Sequence, residues 1–166
     1  MFKQESLEVS HFHPVHECTM PIRWGDMDAF GHVNNTNFFR YMEQARIEWL
    51  ESLGLASVSE AGTGPVIVNA HMTFLKQLQY PGDIVCRTLV GTAGRSSVET
   101  RFELRRADDA QTLYAEGGAK VVWVNYESGR STPIPELLRA HVTLADTRIQ
   151  QGDSVDLGAA AVERAA

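Results

Sequence analysis

The sequence holds only two cysteines, Cys18 and Cys86. So small a number leaves no basis for a disulfide framework or a cysteine-only zinc site, and both fall in strand-like segments as free, buried thiols. Long apolar runs are missing too: nothing approaches the roughly 18 consecutive apolar residues of a membrane span. The opening Met-Phe-Lys-Gln-Glu-Ser-Leu-Glu lacks the charged-then-apolar order of a signal peptide. The expectation is a soluble, cytoplasmic protein. Basic residues are scarce, 15 against 21 acidic, for a formal charge of -6. That balance argues against nucleic acid and against an anionic membrane surface, since both need a concentrated basic face. No Gly-x-Ser-x-Gly elbow occurs, and no glycine-rich phosphate loop of the Walker or dinucleotide kind. Serine hydrolase and nucleotide-binding chemistry are thereby weak readings.

What is present suits one domain, with 166 residues and 43% hydrophobic content. Residues 1–15 show little periodicity and read as an N-terminal arm. From His16 to Met27 the chain alternates like a strand, with Cys18, Met20, Ile22 and Trp24 on one side. The run His11-x-His13-x-x-His16-x-Cys18 offers imidazole and thiolate, yet it matches no zinc spacing and a strand sends alternate residues to opposite faces. No metal site is expected.

Between Thr36 and Leu53, Phe38, Met42, Ala45, Trp49 and Leu53 recur on one helical face. Phe39, Tyr41, Ile47 and Leu50 widen that face until the helix must be largely enclosed. Gly54 stands where helices end in a left-handed residue. Four strand-like segments follow the loop 56–64. The first runs from Pro65 to Leu78, Tyr80-Pro81-Gly82-Asp83 makes a turn of type II composition, and a second runs from Asp83 to Thr92. After a reversal at Gly94-Arg95-Ser96, Val98, Thr100, Phe102 and Leu104 alternate with Glu99, Arg101, Glu103 and Arg105, which marks one buried and one wetter face. Thr112 to Tyr126 is the last strand, its Gly117-Gly118 pointing to a bulge or a close backbone approach. A short helix opens at Pro135 and Glu136. From Thr147 on no apolar periodicity remains, and residues 147–166 read as a disordered or weakly helical tail. The layout is α+β, with helix and antiparallel sheet sharing one core.

The stretch from Ile22 to Asn35 organises the rest. A strand ends in two carboxylates, Asp26 and Asp28, turns at Gly31, and delivers the chain to a helix start carrying Asn34, Asn35 and Thr36. A helix start exposes unpaired N–H groups and the positive end of the macrodipole, and so can polarise a carbonyl oxygen. The run Trp24-Gly25-Asp26-Met27-Asp28-Ala29-Phe30-Gly31-His32-Val33-Asn34-Asn35, with Tyr41-Met42-Glu43-Gln44-Ala45-Arg46 after it, closely resembles the hotdog-fold acyl-CoA thioesterases of the 4-hydroxybenzoyl-CoA thioesterase family. The resemblance covers residues 16 to about 140. It implies a hotdog fold, an antiparallel sheet of about five strands wrapped around one long central helix, in a domain spanning 16–146.

The resemblance makes Asp28 the catalytic carboxylate and the Asn35 backbone N–H the polariser of the thioester carbonyl. Gly31, His32, Asn34 and Phe38 are the candidate substrate contacts around them, and the turn Arg95-Ser96-Ser97 with Arg130 is the candidate phosphate site for the coenzyme. Family members often carry Thr where this chain has Met27, and His32 belongs to one large branch only. Asp26 is read as structural. Glu43 is the competing catalyst, because a second branch uses a carboxylate from the helix. The resemblance further implies acyl-CoA as substrate, no cofactor, and a homo-oligomer, a tetramer built from dimers. Enoyl-thioester hydration and non-catalytic acyl-CoA binding are the alternatives on the same fold.

Thioester hydrolysis suits so sparse a set of groups. A thiol of pKa near 8.5, roughly, leaves as thiolate without a general acid, whereas an amine or alkoxide would need one. A carboxylate to activate water, or to attack, and N–H donors for the oxyanion are then sufficient.

Overall fold

The alternating segments of the sequence pair into one five-stranded antiparallel sheet in a computed structural model that describes residues 12–57 and 59–150. The strands are β1 (His13–Pro21), β2 (Thr63–Phe74), β3 (Asp83–Ala93), β4 (Ser97–Arg106) and β5 (Ala115–Asn125), in the order β1-β3-β4-β5-β2. A 3-10 turn, Trp24–Asp26, and helix α1 (Asn35–Ser52) lie between β1 and β2, and helix α2 (Glu136–Gln150) follows β5. This is an α+β arrangement, five antiparallel strands with two helices.

Period two puts Ile84, Cys86, Thr88 and Val90 of β3 and Val98, Thr100, Phe102 and Leu104 of β4 on one face, all buried. Both helices pack there. Phe38, Tyr41, Met42 and Ala45 of α1 join Cys18, Met20, Ile84 and Phe102 in one cluster, while Trp49 and Leu50 join Val90, Trp123 and the α2 residues Leu138 and Val142 in a second. Each large side chain so enclosed contributes about 1.5 to 3 kcal/mol. The opposite face carries Arg87, Arg101, Glu103 and Arg105, as the alternation required.

The helix expected from Thr36 to Leu53 runs from Asn35 to Ser52, and Gly54 beyond it has the positive φ, 69°, that favours glycine. Gly117 and Gly118 do mark a close approach: a Cβ there would stand 2.5 Å from the His71 carbonyl oxygen and 2.7 Å from the His71 ring. The irregular register lies not in β5 but opposite it, in β2 between Ile67 and Asn69.

Four expectations differ from the structure. Trp24 does not continue the buried side of β1; the strand stops at Pro21, and Trp24 is 78% exposed in the 3-10 turn. A side-chain bond from Asp26 back to the Arg23 N–H bends the chain there, which alternation alone could not register. β2 ends at Phe74, short of Leu78, because Leu78 turns inward and its carbonyl accepts the Val33 N–H instead. The turn before β3 contains a cis Tyr80–Pro81 bond and is not type II. The C-terminal helix is not short: α2 is 15 residues long, held by Leu138, Val142 and Ala145 on one buried face. The arm's first 11 residues and the tail from 151 on lie outside the described residues.

Candidate active site

The loop between β1 and α1 is anchored to the turn that precedes β3. Ile22 donates its N–H to the Gly82 carbonyl at 2.8 Å, and the Met27 sulfur accepts the Tyr80 N–H at 3.4 Å. Across the loop, Met27 bridges to Val33 in antiparallel fashion. The 28–32 segment is thereby a small hairpin tip set on a fixed base.

Asp26 forms that base. Its Oδ2 accepts the Arg23 N–H at 2.8 Å and the Tyr41 hydroxyl of α1 at 2.7 Å. Its carbonyl accepts the Asn34 N–H and the Asn37 side-chain amide, each at 2.9 Å. Burial, then the hydrogen bond to Asp26, raises the Tyr41 hydroxyl well above the usual phenol range, so it stays a donor. The link to Tyr41 had no signal in the sequence beyond the general need of a buried tyrosine for a partner.

Asp28 is placed differently. Its backbone exchanges bonds within the tip: Asp28 N–H to the His32 carbonyl at 2.8 Å, and Gly31 N–H to the Asp28 carbonyl at 3.1 Å. Oδ1 accepts the Phe30 N–H at 2.8 Å, while Oδ2 has no partner among the described residues. The side chain is half-buried. Gly31 sits at φ 78°, the left-handed conformation this reversal needs.

Asn34 is the N-cap of α1. Its Oδ1 accepts the Thr36 N–H at 3.0 Å and the Thr36 hydroxyl at 2.7 Å, and its carbonyl accepts the Asn37 N–H. With Thr36 and Asn37 so engaged, the exposed Asn35 N–H is the first-turn donor left without an acceptor among the described residues. Phe38 lies below in the core, 3% exposed, its ring edge-on to Phe74 of β2 at 5.1 Å. His32 is half-buried beside the tip. Trp24 and Phe30, the latter 85% exposed, project from the loop on either side of Asp28 in sequence; aromatic alternation had read Trp24 as core, and nothing in the pattern singled out Phe30.

The phosphate candidates are elsewhere. Arg95, Ser96 and Ser97 form the β3–β4 reversal, with the Arg95 carbonyl taking the Ile134 N–H and the Arg139 guanidinium. Arg130 is exposed in the turn after β5, where its carbonyl accepts the Asn125 N–H. Both lie at the end of the sheet holding Trp123 and α2, a strand's length of roughly 30 Å from the Asp28 loop. One chain therefore brings together Asp28, Gly31, His32, Asn34, Asn35 and Phe38, and does not bring Arg95 or Arg130 to them. Glu43 is on the exposed side of α1, 3.5 Å from Arg40.

A five-stranded sheet of this order carrying its helices on one face matches the hotdog-type thioesterases. The chain belongs to the thioesterase-like superfamily, whose family model matches residues 22–142. The PA2801 protein of Pseudomonas aeruginosa is 41% identical, with a TM-score of 0.74 over 78% of this chain and 98% of that one. An acyl-acyl carrier protein thioesterase of Arabidopsis thaliana chloroplasts, ATL3, is 29% identical over 128 residues; the match takes in 75% of this chain and 66% of the relative's length. In fold alone, the DHNA-CoA thioesterase of Staphylococcus aureus superposes with a TM-score of 0.75 at 15% identity, over 84% of this chain and 96% of that one.

Proposed function

We propose that the protein hydrolyses an acyl-CoA to a carboxylic acid and free CoA, with Asp28 as the catalytic carboxylate and the Asn35 N–H as the carbonyl polariser. The observation that carries this reading is the pairing, in one braced loop, of a carboxylate oxygen and a helix-start N–H that no described residue occupies. Asp28 draws a proton from water as the water oxygen attacks the carbonyl, or attacks directly to form an acyl anhydride that water then hydrolyses, and in either course the carbonyl oxygen gathers charge against the Asn35 N–H and the positive end of α1. The tetrahedral centre then expels the CoA thiolate, which needs no acid. Gly31, His32 and Asn34 shape the rim, and Phe38 with Phe74 forms the apolar floor.

CoA is favoured over an acyl carrier protein because a chain of charge -6 docks an acidic carrier poorly. The finer family is that of the 4-hydroxybenzoyl-CoA thioesterases, with the sheet wrapped around α1, and the setting is the cytoplasm. Since Arg95 and Arg130 stand far from Asp28 in one chain, the coenzyme phosphates are held by a second copy. The 12-residue edge strand β2, with Ile67 and Val68 exposed, supports pairing of two sheets edge to edge, and two such dimers make the tetramer.

The test is a panel of acyl-CoAs incubated with the protein while free thiol is measured, with light scattering on the same sample. Thiol release above the uncatalysed rate, from an oligomer, is the expected result. Saturable binding without thiol release would leave a binding protein, loss of enoyl absorbance without thiol release a hydratase, and a stable active monomer would remove the shared site.

A further inference from the structure

The end of α1 away from Asp28 holds a second group of reactive side chains. The register of β1 against β3 shifts between Pro14 and His16, after which His16 and Cys18, two residues apart, point to one face. Glu48 of α1 meets them there. One ligand atom of each residue, an imidazole nitrogen, Sγ and a carboxylate oxygen, lies within 4.8 Å of the other two. Among these atoms His16 Nε2 is buried and without a hydrogen-bond partner, 3.9 Å from Glu48 Oε2 and so beyond hydrogen-bond reach. Cys18 Sγ donates one long bond, to the Cys86 carbonyl at 3.9 Å.

Glu48 Oε1 accepts the Gln44 side-chain amide at 3.0 Å, but the buried His16 nitrogen is left without a hydrogen bond, which is costly as it stands. Bonds of about 2.0 to 2.3 Å from one ion to N, O and S donors would satisfy all three after small side-chain movements. The donor set, one imidazole, one thiolate and one carboxylate, is of borderline softness and fits a zinc-class ion better than calcium or magnesium, which take oxygen donors. Glu48, about one-third exposed, gives the ion its way in.

We propose that His16, Cys18 and Glu48 bind one zinc-class divalent cation, with water as the fourth ligand, at a site separate from the Asp28 loop. Glu48 stands 13 helical steps beyond Asn35, roughly 20 Å, so the ion ties β1 to the second half of α1 and takes no part in thioester chemistry. Binding releases the Cys18 proton to solvent and changes no oxidation state. Two of the ligands come from the histidine and cysteine run of the N-terminal segment; the third, Glu48, is 30 residues further on, which no ligand-spacing pattern would join to them.

The full chain, stripped of metal, is titrated with Co2+ and followed by absorbance. One equivalent should bring up a thiolate-to-cobalt charge-transfer band in the near ultraviolet with tetrahedral bands in the visible, and one equivalent of Zn2+ should remove both. Cys18→Ser should abolish the charge-transfer band. Glu48→Gln, a change on the half-exposed side of α1, should weaken Zn2+ binding by more than the roughly 10- to 100-fold that loss of even an outer partner costs. It should also remove the Zn2+-dependent rise in melting temperature seen in the parent. Absence of the charge-transfer band, a band that survives Cys18→Ser, or Zn2+ affinity unchanged in Glu48→Gln each overturns the site.

Discussion

Asp26 and Asp28 stand two residues apart in the loop between β1 and α1, and their surroundings differ in how many donors are aimed at each carboxylate. Asp26 receives a backbone N–H from the 3-10 turn and the Tyr41 hydroxyl from α1, while its carbonyl ties down Asn34 and Asn37. Asp28 receives one local N–H, from Phe30, and keeps an oxygen unoccupied among the described residues. Each carboxylate keeps one oxygen without a partner among the described residues, but Asp26 Oδ2 joins the 3-10 turn to α1 and so serves the fold, whereas Asp28 answers to a single local donor and has more lone pairs left for water or substrate. The comparison teaches that rigidity and reactivity are divided between neighbours, with the first half of the loop fixing the geometry that the second half uses.

The division breaks most visibly at Asp28. Asp28→Asn keeps the Phe30 contact and removes the charge, so turnover of the best acyl-CoA should fall by about 100-fold or more with the melting temperature nearly unchanged. Glu43→Gln in parallel should stay within roughly threefold of the parent; if Glu43→Gln is the dead variant and Asp28→Asn is active, the helix carboxylate is the catalyst and the roles assigned above are reversed. Asp26→Ala should show the opposite signature. It leaves the Arg23 N–H and the buried Tyr41 hydroxyl unpaired, and should cost about 2 to 3 kcal/mol of stability by urea unfolding. Its kcat should fall only as far as the loop loosens, and full stability in this variant would mean that Asp26 braces nothing. Tyr41→Phe sharpens the same point at smaller scale. It removes one of the two donors to Asp26 and should cost about 1 to 2 kcal/mol, with the fall in thioesterase activity smaller than in Asp28→Asn. A catalytic collapse in Tyr41→Phe at full stability would place Tyr41 in the chemistry instead.

Legibility followed the range of the interactions. The face Phe38, Met42, Ala45 and Trp49 announced α1 to within a residue at each end, because helical periodicity is a local property of side-chain spacing. The alternation from Val98 to Leu104 announced β4 and its buried face for the same reason. Trp24 was misread because alternation persists on paper past Pro21, where the Asp26 carboxylate bends the real chain. The extent of α2 was missed because its face is completed by Trp49, Val90 and Trp123, distant in sequence.

The sequence by itself determined the strands, the first helix and the loop with its two carboxylates that leads into it, all of which rest on residues within a turn or two of one another. Which carboxylate takes the Tyr41 hydroxyl, that Phe38 packs against Phe74, that Arg95 and Arg130 stand at the far end of the sheet, and that Glu48 meets His16 and Cys18 were decided only by the tertiary structure. Each depends on how strands and helices meet across gaps of 11 to 70 residues, from the Asn37 amide on the Asp26 carbonyl to Arg87 on Glu17. Neither propensity nor periodicity carries information over that distance.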